Sequence, residues 1–318
     1  MKKAVAIGLA GVLVVAGVAG AARLRHGPPP PTPVPGATAP AGTSSYSVNV
    51  AGVTRTYDLH VPAGLDRSQP PPLLIELHGG GGNASGMERL TGFFGIADRE
   101  GFVVAAPNAL NKSWSDGRVA TDTQSGGDDI AFMNALIDQV SGQVGIDPDR
   151  VYVTGMSNGA IMSGRIACQM SDRIAAVAQV AGTVAVDIAP TCEPGRPVPI
   201  LEIHGTDDPL VPYDGGTVAA MLGGRGDVIG VDAWASFWVA NDSAAEQPET
   251  TLGTDTTIRT WKGATPASDV VFYRVDGAGH TWPDGMQYLP KLIIGPTTHT
   301  FDASEVIWAF LSAHRLGN

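Results

Sequence analysis

Three short segments hold side chains whose types and order could do covalent chemistry. Gly155-Met156-Ser157-Asn158-Gly159 follows the apolar run Val151 to Thr154 and leads into a helix-like pattern from Ala160. Glycine on both sides of a serine permits the sharp strand-to-helix turn that lifts its hydroxyl clear of the backbone. The amide of Asn158 then falls at a helix N-terminus, where it can hold an oxyanion. His204-Gly205-Thr206-Asp207-Asp208-Pro209 ends the run Pro199 to Ile203, and Gly277-Ala278-Gly279-His280-Thr281-Trp282-Pro283 follows Val270 to Val275. A histidine whose Nδ1 proton is held by an aspartate can act as general base towards a serine. Asp208 precedes Pro209, which keeps its backbone extended, and is expected to be that partner; Asp207 is the alternative. The chemistry implied is nucleophilic acyl transfer by Ser157, His280 and Asp208, in the chain order serine, acid, histidine.

A fourth segment, His78-Gly79-Gly80-Gly81-Gly82, follows the apolar run Leu73 to Leu77. Consecutive glycines let backbone amides approach a substrate carbonyl, as a second oxyanion donor must. Gly80 is expected to donate, with Gly81 next, and His78 to be a packed strand-end residue. Trp282 lies in the loop beside His280 and is expected to contact substrate. Trp234, Trp238, Trp261 and Trp308 fall on helix or strand patterns and belong to a core. Asp128 and Asp129 open a helix pattern and read as caps.

The elements that must position these groups alternate. Short apolar strands, those named above with Phe102 to Ala106 and Ala175 to Val180, are separated by helix patterns over Ala84 to Gly101, Asp129 to Val144, Ala160 to Met170, Val231 to Asn241 and Asp302 to His314. A hairpin, Ser45 to Asn49 and Thr54 to Val61 around Ala51-Gly52, precedes them. This pattern predicts an α/β fold with a mostly parallel central sheet covered by helices on both faces. Such sheets bind ligands at the carboxyl ends of their strands, where all four segments lie.

The chain has 318 residues, 31 acidic against 20 basic, and a net charge of −11. That disfavours nucleic acid as a partner. No phosphate-binding lysine loop and no clustered metal ligands occur, so neither cofactor nor metal is expected. Lys2 and Lys3 precede an apolar stretch to Ala22, with Ala19-Gly20-Ala21 as a cleavage site: residues 1–22 read as a secretory signal peptide or as an uncleaved signal anchor tethering the chain to a membrane. A Pro-rich linker over 23–44 follows, and 45–318 form one catalytic domain, extracellular or in the cell envelope.

Gly155-Met156-Ser157-Asn158-Gly159-Ala160, His204 to Tyr213 and Gly279-His280-Thr281-Trp282-Pro283, with Gln287-Tyr288-Leu289-Pro290 and the tail Asp302-Ala303-Ser304 with Trp308, resemble the polyhydroxybutyrate depolymerase and feruloyl esterase group of carbohydrate esterase family 1. The resemblance implies an α/β-hydrolase fold, the triad Ser157, Asp208 and His280, and a place for Trp114 near the substrate pocket. It also implies hydrolysis of carboxylic esters through an acyl-enzyme, with hydroxyalkanoate oligomers as substrates or, alternatively, feruloyl or acetyl esters of xylan. A serine peptidase of the same fold and a non-catalytic envelope binding protein are the rival readings. Members often carry further cysteines that this chain lacks. Its only pair, Cys168 and Cys192, lies in a chain read as exported and is expected to form a disulfide.

Overall fold

The computed structural model describes residues 39–317 except 220, 222, 264, 266 and 267; the expected signal segment and most of the linker lie outside the described residues. The N-terminal hairpin pairs β1 (Gly42–Val50) with β2 (Val53–Val61), turning through Ala51 and Gly52, both at positive φ. Ala39 is already buried and donates its amide to the Gln143 carbonyl at 2.8 Å. The folded domain therefore begins a few residues before the expected boundary at 45.

Next come β3 (Leu73–Leu77), α1 (Ala84–Thr91), α2 (Phe93–Glu100), β4 (Val103–Pro107), α3 (Val119–Ser125), α4 (Asp129–Val144), β5 (Val151–Met156), α5 (Asn158–Gln169), β6 (Ala176–Val180) and β7 (Ile200–Gly205). The C-terminal part holds β8 (Gly215–Thr217), β9 (Asp227–Ile229), α6 (Val231–Asp242), β10 (Ala245–Glu246), β11 (Thr250–Leu252), β12 (Thr256–Lys262), β13 (Val270–Val275), α7 (Lys291–Ile294) and α8 (Ala303–Ser312). The single helix expected over Ala84 to Gly101 is two, because Gly92 stands in the left-handed region at φ 66° and closes the first.

One sheet runs β1-β2-β4-β3-β5-β6-β7-β13-β12-β10, with β11 on β12. From β4 to β13 the neighbours are parallel; β2 and β12 flank them antiparallel. Alternate side chains of these strands feed two cores. Ile75, Val153 and Val177 face α4, α5 and α6, where Met162, Ile166, Trp234 and Trp238 pack. Leu74, Tyr152 and Ala178 face α2 and α8 with Ile96, Trp308 and Leu311. This is the architecture expected of an α/β-hydrolase. No helix among the described residues is long and apolar enough to cross a membrane.

Cys168, near the end of α5, is bonded to Cys192, as expected from the sequence. The bridge closes a loop of sequence separation 24, which in the chain-entropy account stabilises the fold by about 3 kcal/mol. A Cys168→Ser/Cys192→Ser double variant is expected to lose that much stability in urea unfolding followed by circular dichroism; an unchanged midpoint would show that the crosslink does not restrict the unfolded chain to that extent.

Candidate active site

β5, β7 and β13 end at one edge of the sheet, in register through β6: Met156 lies opposite Val180, Val180 opposite Ile203, and Gly205 opposite Val275. Ser157, Asp208 and His280 follow these strands. Ser157 adopts φ 59° and ψ −123°, and its amide donates to Val180 O at 2.9 Å. A side chain held there costs about 1–3 kcal/mol of backbone strain. The turn is tight enough to demand its glycines. A Cβ on Gly155 would stand 2.6 Å from the carbonyl of Gly159, and one on Gly159 would run into the Leu77 carbonyl. Ser157 itself is half-buried, and its hydroxyl makes no hydrogen bond among the described residues.

Asp208 Oδ2 accepts from His280 Nδ1 at 2.7 Å, and Asp208 Oδ1 accepts from the amides of Leu210 and Val211 at 2.8 Å each. Burial alone would raise this carboxyl; His280, then His204 and the Val211 amide, hold it below the ordinary carboxylate range. Asp207, one residue away, is exposed, and among the described residues its carboxylate accepts only from Thr206 Oγ1, at 3.3 Å. On the far side of Asp208, His204 Nδ1 lies 2.7 Å from Glu202 Oε1. Its Nε2 lies 3.0 Å from Val211 O and 3.6 Å from Asp208 Oδ2. Burial disfavours the cation at His204, but Glu202 and Asp208 outweigh it and raise its affinity for a proton. The His280 backbone is pinned as well: its amide donates to Ile294 O at 2.6 Å, and Tyr288 Oη donates to its carbonyl at 2.9 Å.

The glycine loop after β3 lies against the serine turn. A Cβ on Gly79 would stand 3.4 Å from Ser157 Cβ, and one on Gly80 3.7 Å from Asn158 Cβ. Gly81 donates to Lys112 O at 2.7 Å and Gly82 to Gly79 O at 3.0 Å, so Gly81 is engaged. The amides of Gly80 and Asn158 have no backbone acceptor among the described residues. Two free amides on facing segments beside a serine hydroxyl form a donor pair suited to a developing oxyanion.

Comparison with known proteins places the chain in a family. Residues 55–192 match the family model described as Esterase PHB depolymerase. The chain is 32% identical over 319 residues to "Putative esterase NocK" of Nocardia uniformis, covering 89% of this chain and 91% of that protein. The chain belongs to the esterase PHB depolymerase family. This esterase is also 32% identical over 199 residues to "Feruloyl esterase C" of Emericella nidulans, spanning 69% of it. Among solved structures, "Acetyl xylan esterase from Aspergillus awamori" superposes with a TM-score of 0.58 at 15% identity, over 85% of this chain and 99% of that one, which speaks to the fold alone.

Three expectations for the esterase are corrected. Trp114 and Trp282 were expected at the substrate, yet both are buried, 0% and 1% exposed, and present no face for stacking. Trp114 braces the glycine loop and the serine turn instead: its Nε1 donates to His78 O at 2.8 Å and its amide to Asn158 Oδ1 at 2.8 Å. Trp282 packs edge-on to Phe93 and donates to Ser304 Oγ at 3.0 Å. His78 is packed as expected, accepting from the Ala109 amide at 3.1 Å through Nε2 and lying 2.7 Å from Gly79 O through Nδ1. Asp128 caps α4 through the Ala131 amide, whereas Asp129 is no cap but a buried partner of Arg55 at 2.6 Å.

The residues that sequence reasoning missed are buried charges. Asp116 pairs with Arg118 at 2.5 Å and accepts from Asn158 Nδ2 at 2.6 Å, fixing the side chain next to Ser157. Its only signal was two opposite charges two apart in a loop, a spacing that a solvated loop shows equally often.

Proposed function

We propose that this esterase is an exported serine hydrolase that cleaves carboxylic esters through an acyl-enzyme on Ser157. What carries the reading is the 2.7 Å bond between Asp208 and His280 at the sheet edge where Ser157 stands in its strained turn. Asp208 holds the Nδ1 proton, leaving Nε2 of His280 free to take the Ser157 proton as the hydroxyl oxygen adds to the ester carbonyl. The amides of Asn158 and Gly80 receive the oxyanion. Collapse expels the alcohol, which takes the proton from His280, and water then adds to the acyl-enzyme by the same route and releases the acid. The disulfide supports export, since such bridges persist in oxidising compartments.

For the substrate we favour short hydroxyalkanoate oligomers, in line with the family model. Feruloyl esters of plant polysaccharide are the second reading, favoured by the name of the Emericella relative. A fluorophosphonate probe is expected to label the wild type on the peptide carrying Ser157 and to be blocked by prior incubation with ester substrate. Labelling elsewhere, or none, would remove the mechanism. Parallel assays on hydroxybutyrate oligomers, methyl ferulate and acetylated xylan then rank the substrates.

A further inference from the structure

One more charged group stands at the mouth of this site. The β8–β9 hairpin is tied to the body of the protein: Val218, Ala219 and Val228 pack with Val211 and with Ile161 of α5, and the Ile229 amide donates to Val184 O at 3.0 Å. Backbone pairing continues beyond the strands. The Arg225 amide donates to Val218 O at 2.9 Å and the Val218 amide to Gly226 O at 3.0 Å, while Gly226 lies against the stem of Arg118. The backbone of Arg225 is thereby fixed relative to the loops that hold the oxyanion donors.

Its side chain reaches those loops. Nη1 of Arg225 lies 3.8 Å from where a Cβ on Gly80 would stand, and that same point is 3.7 Å from Asn158 Cβ. Arg225 is exposed, and its guanidinium has no hydrogen bond or ion pair among the described residues. Its neighbour Arg118 is the opposite case, buried and committed to Asp116. In a chain with 31 acidic residues against 20 basic, a cation left open beside the donor loops is out of keeping with its surroundings.

We propose that Arg225 is a substrate-binding residue that recognises a carboxylate carried by the ester a few atoms from the scissile carbonyl. The class this selects is hydroxy-acid dimers and short oligomers ending in a free carboxylate. A guanidinium offers paired N–H donors that match a carboxylate, and it keeps its charge at any working pH. In a 3-hydroxy-acid dimer the terminal carboxylate is separated from the ester oxygen by two carbons. With the scissile carbonyl oxygen directed at the Gly80 and Asn158 amides, such a carboxylate falls within reach of a group beside Gly80. The inference rests on Ser157 being the nucleophile.

The test compares the dimer of 3-hydroxybutyrate with the same dimer bearing a terminal amide, which has one identical ester and no charge. The wild type is expected to favour the carboxylate form by about tenfold in kcat/KM, the low end for a hydrogen-bonded charge pair because the site is open to solvent. In an Arg225→Gln variant the ratio is expected to fall to about one, with most of the change in KM, and Arg225→Lys is expected to recover part of it. A wild-type ratio already near unity, or a ratio that Arg225→Gln leaves intact, overturns the proposal. The latter includes equal loss on both compounds, which would mean that the guanidinium serves the oxyanion of every ester. A wild type that takes the fluorophosphonate probe but cleaves neither compound also overturns it, with the nucleophile reading intact. Failure to take the probe strikes that reading first.

Discussion

Replacement of Ser157 by alanine is expected to lower kcat on p-nitrophenyl butyrate by about 10⁶-fold, the scale seen where a nucleophile acts as one unit with its base. The nearest other serine on α5, Ser163, is buried and donates to Gly159 O at 2.8 Å, so its hydroxyl is committed to the helix. Alanine and serine bear the same Cβ and meet the same backbone strain at φ 59°, so the variant should melt close to the wild type. That separates lost chemistry from lost folding. Residual turnover above about a hundredth of wild type, measured after purification away from host esterases, would sink the assignment.

Asp208→Asn is expected to cost about 10⁴-fold in kcat, against little for Asp207→Asn. The reason lies in the two amides, of Leu210 and Val211, that donate to Asp208 Oδ1. They will take the carboxamide oxygen and leave its NH₂ facing His280. A donor there forces Nδ1 to accept, moves the ring proton to Nε2, and removes the base from the Ser157 side. The protein fold should survive, since asparagine keeps the shape. Asp207 offers no such geometry: it is exposed, and among the described residues its carboxylate is bonded only to Thr206. A larger loss at 207 would reverse the roles that Pro209 suggested, and equal losses would remove the distinction between the two.

How much could be read from the chain depended on distance along it. The strand Leu73–Leu77 matches its apolar pattern to the residue, because burial on both sides of a sheet leaves an uninterrupted apolar run, and the strand Val270–Val275 and the helix Asp129–Val144 match theirs as well. The serine turn was equally plain, since glycine spacing is a local demand. Gly92 was not: a glycine within a helical pattern is tolerated as often as it ends one, and only the left-handed backbone here shows which. Trp114 and Trp282 were misread because position beside a motif says nothing of which way a ring turns. Asp116 with Arg118, and Glu202 with His204, escaped for a deeper reason. Each is a charge or polar group taken out of water and met by partners: Asp116 by Arg118 and by the distant Asn158, Glu202 by His204 on the same strand face. Pairing of that kind belongs to the folded state. Arg225 escaped for the converse reason, since an arginine without a partner looks the same in a sequence as one with several.

The backbone at Ser157 has one consequence beyond the reaction. Glycine is the residue that its φ and ψ would suit, and every β-carbon placed there works against folding. Position 157 is thus where fitness for folding and fitness for function diverge. A lineage optimised for thermal tolerance alone would drift towards glycine at that site and become a sturdier, inert relative. On the proposed mechanism, a serine there is kept only by pressure to turn substrate over.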